Sequence, residues 1–173
     1  MPKDSLSKFY YAFAYPYMSY GIEVYANACN DVLDKLNKAN NKILRIILSK
    51  KYDTPSVELY KDFNVLSIPM LHEMKLLQLV YKFYHCKSIL PEIFQSYFMT
   101  NDVVHYHNTR SKFNLHISSV NSTFGQRSST YRGSKYWNEL PECLKQCSSF
   151  FYLQNKLNSF YYRDYNILIS YSF

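Results

Sequence analysis

The sequence predicts a mainly α-helical fold: a helical bundle with a small β-hairpin region near residues 110–136 and a C-terminal helix. Two observations predict the helices. Apolar residues recur at helical spacing up to about residue 95, and the 173 residues include only 3 Gly and 6 Pro to interrupt them. From about residue 100 the chain becomes polar and alternating, which is typical of strands. We therefore predict two domains, residues 1–99 as the bundle and residues 100–173 as a basic hairpin region with the last helix.

Charge and composition limit the classes of partner. The formal charge is +7 and the pI is about 9.1, which favours an anionic partner: nucleic acid, or an acidic membrane surface, although a solvated basic surface gives the same charge. The 19 Tyr and 12 Phe suit both a packed core and base stacking. No apolar run reaches 18 residues, so no transmembrane helix is predicted.

The first helical pattern runs from about Ser5 to Ala28, and Pro16 must bend or split it because proline lacks an amide donor and clashes with the preceding turn. The basic start and the small residues at 26–28 also fit a secretory signal, in which case the Asn121-Ser122-Thr123 sequon would be usable. The Tyr-rich run, Pro16 and Glu23 argue against that alternative.

The second helix, from about Asp31 to Ser49, is amphipathic. Its predicted buried side consists of Leu33, Leu36, Asn40, Ile43, Leu44 and Ile47, and its opposite side carries Lys35, Lys38, Lys42 and Arg45. From Lys35 to Lys51 there are six basic residues and no acidic one. A merely solvated face usually mixes both signs, so this pattern favours an anion-binding ridge.

A short helix is predicted over residues 56–63, followed by a core helix over 70–84 that is apolar almost all round. Farther on, Phe113, Leu115 and Ile117 alternate with polar residues and predict a strand, with residues 129–136 as its partner. Trp137 is predicted to pack this region, although base stacking is the alternative. Ser148 or Ser149 should cap the last helix.

The later region is also basic. Between residues 103 and 137 there are five basic residues and no acidic one. The nucleic-acid-binding residues predicted from both regions are Lys35, Lys38, Lys42, Arg45, Lys50, Lys51, Arg110, Lys112, Arg127, Arg132 and Lys135. Arginine offers a planar fork to phosphate oxygens, so the arginines are favoured for phosphate contacts.

Metal and nucleophile sites are not predicted, and no cofactor is expected. His105 and His107 would share one face of a strand, with His116 and Asp102 as further candidates, but a backbone-bonded loop is the simpler interpretation. Cys143 and Cys147 lack a second ligand pair, and the four cysteines show no disulfide framework, which favours a reducing compartment.

Four ordered segments resemble the region that follows the catalytic domain in non-LTR, jockey-like (LINE-type) retrotransposon reverse transcriptases. They are residues 6–25 with the Tyr20-Gly21 pair, the basic helix ending at residues 42–47, His107-Asn108-Thr109-Arg110, and Tyr136-Trp137-Asn138-Glu139-Leu140-Pro141. In this chain Tyr25 stands where the family often has Trp. The order and spacing of all four segments are similar to those of the family.

The resemblance implies a thumb-like bundle and post-thumb segment of an RNA-directed DNA polymerase. The family's aromatic-x-Asp-Asp motif is missing here, as is its Cys/His zinc knuckle. Polymerases need clustered carboxylates for two divalent ions, so no activity is expected of the chain alone. The expected partners are RNA or an RNA–DNA duplex and a polymerase catalytic domain, with no membrane and no small-molecule substrate, in the nucleus or cytoplasm.

The rival hypothesis is a structural or protein-interaction remnant. A chain parted from its catalytic domain would expose the surface that once met it. Tyr10, Tyr11, Tyr15 and Tyr17 are the predicted members of such a patch, which would self-associate or dock on a catalytic domain.

Overall fold

Residues 3–104 and 111–170 are described by a computed structural model, and within those ranges the chain is mainly helical, as predicted. No helix among these residues is long and apolar enough to cross a lipid bilayer. The chain divides into two compact units. Unit 1 comprises the residues up to 72 and those from 158 onward, and unit 2 comprises residues 73–157. The domain boundary at residue 99 stays a prediction.

Unit 1 begins with one continuous helical segment over residues 3–19, so Pro16 does not split it. Helix α1 (Lys3–Phe9) continues into a π-turn at Tyr10–Ala14 and then into α2 (Tyr15–Ser19). The wider π-turn lies directly before Pro16, whose ring would clash with the preceding turn of a regular α-helix. The helix ends at Ser19, and Gly21 adopts a left-handed φ of 63° before α3 (Ile22–Tyr25).

Helix α4 (Asn30–Leu48) is the long amphipathic helix that the sequence predicts. Asn40, Leu44 and Ile47 are buried as predicted, whereas Ile43 is 36 % exposed. Leu33 and Leu36, also predicted on the buried side, are only half-buried. The helix ends at Ser49, which has a left-handed φ of 53°, and the Lys50 amide donates to the Arg45 carbonyl at 2.9 Å. A loop leads to α5 (Ser56–Phe63).

A buried polar network joins three elements of unit 1. The Tyr10 hydroxyl donates to Asn40 Oδ1 at 3.2 Å, and Asn40 Nδ2 lies 3.5 Å from the Tyr60 hydroxyl. Burial is the main cause that raises the pKa of Tyr10 far above its ordinary value. Because Asn40 is only 2 % exposed, these tyrosines compensate its loss of water.

The core helix α6 (Ile68–His85) buries Met74, Leu77 and Val80. Short helices follow, named α7 (Glu92–Gln95), α8 (Asn101–Val104) and α9 (Thr123–Gln126). Then come α10 (Ser129–Glu139), α11 (Glu142–Lys145) and α12 (Phe150–Ser170). The Ser149 hydroxyl accepts from the Tyr152 amide at 3.2 Å, which agrees with the predicted capping of the last helix.

The predicted β-hairpin is wrong. Between residues 111 and 136 the structure contains no strand, and only an isolated bridge pairs Leu115 with Thr100. The predicted second strand is helix α10, which Ser128 caps by accepting from the Tyr131 amide at 3.2 Å. Its buried face includes Ser129, Gly133 and Ser134. Because these residues are small and not hydrophobic, they do not produce the apolar spacing that predicts a helix.

Trp137 and Asn138 organise unit 2 from the end of α10. Trp137 is 4 % exposed, and its ring stacks on Tyr84 of α6 at a centroid distance of 5.3 Å. The Asn138 amide makes two bonds with Leu115: Oδ1 accepts from its N–H at 2.9 Å and Nδ2 donates to its carbonyl at 2.8 Å. Packing, the predicted role of Trp137, therefore fits this geometry, although the region it packs is not a hairpin.

Candidate nucleic-acid interface

A groove lined by cations lies along α4 in unit 1. Its volume is about 980 Å³, and the described side chains around it include four cations and no carboxylate. The lining residues are Lys38, Ala39, Asn41, Lys42, Arg45, Ile46, Ser49, Lys50 and Tyr52. We call this feature the cationic groove. Four of the six cations predicted for this region therefore come together, while Lys35 and Lys51 are exposed outside the lining.

Arg45 is held in place by the loop that follows α4. Its Nη2 donates to the Thr54 carbonyl at 3.0 Å, and its guanidinium carbon lies 5.5 Å from the centre of the Tyr52 ring. A guanidinium has five N–H donors, so this anchoring bond fixes its position without using its whole capacity. Arg45 thus both organises the loop and adds positive charge to the groove.

Lys50 differs from the other cations of the groove because it has an acidic partner. Its Nζ lies 2.8 Å from Asp62 Oδ2, and the hydrogen bond to that carboxylate raises the pKa of Lys50. Its charge is therefore partly offset by Asp62. Lys38 and Lys42 are exposed and one turn apart on α4, which makes them the principal cations of the groove.

Tyr52 also lines the groove, although the charge pattern of the sequence assigns it no role. Its side chain is 92 % exposed beside the groove. An exposed aromatic ring next to lysines is a common element of nucleic-acid interfaces. The acid-free run of residues 35–51 ends immediately before it, and that adjacency is the sequence signal that was available.

A second basic site lies in unit 2, where Arg127, Arg132 and Lys135 surround a concavity of about 310 Å³. Thr123, Gln126, Tyr131 and Tyr136 complete the lining. Burial raises the pKa of the Tyr136 hydroxyl, with Glu73 adding to the increase and Arg132 opposing it. Three of the five cations predicted for the later region are thus neighbours, because α9 and α10 adjoin there.

The other two predicted cations of that region are not part of this cluster. Lys112 is half-buried, and its Nζ lies 4.9 Å from the centre of the neighbouring Phe113 ring. Arg110 lies outside the described residues, as do His105, His107 and the whole His107–Arg110 segment. Their assignment as nucleic-acid or metal ligands stays untested.

Within residues 3–104 and 111–170 the structure shows no group of three or more His, Cys, Asp or Glu side chains arranged to hold a metal ion. The four cysteines are free thiols: Cys29 and Cys143 are exposed, Cys86 is half-buried and Cys147 is buried. Burial raises the pKa of the Cys147 thiol.

An apolar groove of about 420 Å³ also lies in unit 1, between α1, the π-turn and α4. Its lining residues are Leu6, Phe9, Tyr10, Phe13, Ala14, Ile43, Ile46 and Ile47. Phe9, Phe13 and Ile46 are each more than half exposed, while Tyr10 is buried. The tyrosine patch expected from the sequence is therefore divided. Tyr10 belongs to the core, Tyr15 is half-buried, and Tyr11 and Tyr17 remain exposed.

In comparisons with known proteins, no family model matches this chain, and no significant similarity was found to any curated protein or solved structure.

Proposed function

We propose that this chain is a non-catalytic nucleic-acid-binding segment that contacts the phosphate backbone of RNA or of an RNA–DNA duplex. The observation that carries the proposal is the cationic groove, in which Lys38, Lys42 and Arg45 converge and no described lining residue is acidic. Phosphate contacts of this kind give affinity that depends steeply on salt and weakly on sequence.

The dimensions of α4 suit a polyanion better than a single ion. Residues 35 to 45 span ten helical steps, or about 15 Å at about 1.5 Å per residue. Along a nucleic-acid duplex, phosphates of one strand recur about every 3.4 Å of the axis. The four cations of this face therefore cover about four phosphate steps, and the basic concavity of unit 2 offers a further contact.

The origin in an RNA-directed DNA polymerase of a mobile element is part of the proposal. It rests on the four ordered segments that resemble non-LTR retrotransposon reverse transcriptases. Sequencing the genomic region upstream would test it: an in-frame aromatic-x-Asp-Asp motif supports a polymerase origin, and an unrelated or absent reading frame contradicts it. The chain itself is proposed to bind without polymerase activity, because it lacks an Asp-Asp pair.

Binding is tested by titrating the full chain with RNA, and with an RNA–DNA duplex, at salt concentrations from about 50 to about 200 mM. The logarithm of the affinity should fall linearly with the logarithm of the salt concentration. Changing Lys38→Gln and Lys42→Gln together should reduce the slope by about 1.4 for a single strand and about 1.8 for a duplex, if duplexes follow the B-DNA coefficient. Absence of binding at low salt, or a flat salt response, would refute the proposal.

The matched control is the pair Lys8→Gln and Lys61→Gln. Both lysines are exposed and belong to unit 1, and neither lines the cationic groove. The control removes the same net charge as the test pair. It should leave the salt slope nearly unchanged, whereas an equal loss in both pairs would show that only total charge matters.

A second candidate function is protein association through the apolar groove. Phe9, Phe13 and Ile46 present large exposed apolar surfaces around it, and such patches commonly mark interaction sites. The occupant would be a second copy of this chain or a polymerase catalytic domain.

Sedimentation of the pure chain tests self-association. A salt-independent oligomer that Phe13→Ser converts to monomer supports this function. The control Phe124→Ser changes a phenylalanine of unit 2 that is 84 % exposed and should leave the oligomer intact. A monomer at all concentrations contradicts self-association and leaves only the docking alternative.

A further inference from the structure

We infer that the cationic groove binds single-stranded nucleic acid, with one base stacked on the ring of Tyr52 and the flanking phosphates on Lys38 and Lys42. This inference rests on the proposed function and adds the class of ligand at that site. It makes Tyr52 a binding residue, a role that no charge pattern in the sequence assigns.

The exposure of Tyr52 is the first observation. A tyrosine usually covers apolar surface with its ring and leaves only its hydroxyl in water. At 92 % exposure, the Tyr52 ring contributes almost nothing to the core. The ring lies beside the groove instead, among the residues that line it.

The position of Arg45 is the second observation. Its guanidinium carbon lies 5.5 Å from the centre of the Tyr52 ring. A hydrogen bond to the Thr54 carbonyl anchors the same guanidinium to the loop. The guanidinium therefore lies on one side of the ring without covering it, and the exposure of 92 % leaves the opposite face open to a flat ligand. A base on the open face would complete a cation–ring–base stack, which combines two attractive contacts.

The groove is large enough for a nucleotide and its neighbours. Its volume of about 980 Å³ lies at the upper end of the range of about 300–1,000 Å³ for sites that hold drug-sized ligands. Lys38 and Lys42 are four residues apart, so their backbones are separated by about 6 Å along the helix axis. Their long side chains can thus reach consecutive phosphates on either side of a base that contacts Tyr52.

A duplex fits this arrangement poorly. In a duplex each base is stacked on its neighbours, so its flat face is inaccessible to a side chain. Sequence-tolerant contacts between bases and aromatic rings are typical of proteins that bind single strands. The groove should therefore prefer a single strand over a duplex of the same length.

The test compares two probes of equal charge: a single-stranded oligo(dT) of 12 nucleotides and an abasic strand of the same length. The abasic strand keeps the phosphates and removes the bases. Wild-type protein should bind oligo(dT) about 5- to 150-fold more tightly, the range that corresponds to stacking of one base. Tyr52→Ala and Tyr52→Leu should abolish that preference, while Tyr52→Phe should keep it.

Two controls separate stacking from indirect effects. Tyr17→Ala removes a ring that is 85 % exposed in the same unit, outside the groove, and should leave the preference unchanged. The salt slope of Tyr52→Ala should equal that of the wild type, because stacking releases no counterions. A reduced slope would show that the substitution had displaced Arg45, and would overturn the stacking role.

The outcomes distinguish this inference from the proposed function. Salt-dependent binding with equal affinity for both probes overturns the inference and supports the proposed function. A preference for oligo(dT) that survives in Tyr52→Ala also overturns the inference. Failure of both probes, RNA and RNA–DNA duplex to bind at low salt overturns the two proposals together.

Discussion

Replacing Asn138 by Ala should destabilise unit 2, because this side chain satisfies both backbone groups of Leu115. Beside the bridge, the Asn101 amide donates to the Asn114 carbonyl and the His116 amide donates to the Met99 carbonyl. The N–H and C=O of Leu115 instead bond to the side chain of Asn138. The side-chain amide of Asn138 thus supplies the one acceptor and the one donor that an adjacent strand would offer to Leu115.

The magnitude follows from those two bonds. Leu115 is 1 % exposed, and an unsatisfied buried backbone group costs about 1–3 kcal/mol. With partial access of water to the vacated space, the free energy of unfolding should fall by about 2–3 kcal/mol for Asn138→Ala. For a chain of this size, the midpoint of thermal unfolding should fall by about 5–10 °C.

The assay is urea unfolding followed by the fluorescence of Trp137, the single Trp of the chain, which reports on unit 2. The control is Asn121→Ala, an exposed asparagine in the same unit, which should change stability by less than about 0.5 kcal/mol. A change equally small for Asn138→Ala would refute the reasoning.

Asn138→Asp provides a second measure of the same contact. The carboxylate can still accept from the Leu115 amide, but it faces the Leu115 carbonyl without a proton to donate. That repulsion and the burial should raise the pKa of the introduced carboxyl in the folded state. Relative to wild type, Asn138→Asp should then be most stable in acid and should lose stability as the pH rises through the raised pKa. A difference from wild type that does not depend on pH in this range would contradict the assignment of donor and acceptor.

Three further predictions concern other parts of the chain. Burial is the main cause that raises the pKa of the Tyr84 hydroxyl from 10.0 to about 12, and Asp102 adds to the increase. Part of the folding stability present below pH 10 should therefore be lost between pH 10 and about 12. Urea unfolding should show a smaller loss over this range for Tyr84→Phe. Asp62→Asn should release Lys50 into the cationic groove and steepen the salt slope for RNA by about 0.7, with little change in thermal stability because surface ion pairs contribute little. Gly21→Ala should lower the free energy of unfolding, measured in urea, by about 1–2 kcal/mol, because a side chain is strained at a φ of 63°. No steric clash should add to this cost, because no atom lies within 4 Å of the added carbon.

The sequence was sufficient for α4 because one period dominates that helix. Its predicted span, about residues 31–49, agrees with the observed Asn30–Leu48, and the burial of Leu44 and Asn40 follows from their place on the apolar side. Ile43 departs from the pattern because it lies at the edge of that side, where the apolar groove begins. Periodicity gives the direction of a side chain, while its burial depends on what packs against it.

Helix α10 could not be predicted in the same way. Its sequence is rich in Ser, Thr and Tyr, residue types that do not favour helix over strand. The buried face of α10 packs closely because its residues are small. A Cβ atom added at Gly133 would lie 3.1 Å from the Phe98 ring and 3.4 Å from the Val80 side chain. Close approach to those two residues, which are distant in sequence, is a tertiary effect that a local pattern does not contain.

The basic regions of the candidate site could also be predicted from the sequence, whereas the local partners of their side chains could not. Acid-free runs of lysine and arginine identified both basic regions, because long-range electrostatics depends mainly on how many charges a segment carries. The local partners could not be read from the sequence. Asp62 pairs with Lys50 across twelve residues, and the guanidinium of Arg45 lies 5.5 Å from the centre of the Tyr52 ring.

The exposed thiols have a practical consequence for spectroscopy. Cys29 belongs to unit 1 and Cys143 to unit 2, so the natural sequence supplies one attachment point for a dye in each unit. Cys147 should react slowly because burial raises the pKa of its thiol and the thiolate is the reactive form. With Cys86→Ser, maleimide dyes on the two exposed cysteines would form a donor–acceptor pair. Energy transfer between them would then follow any movement of one unit against the other when nucleic acid binds.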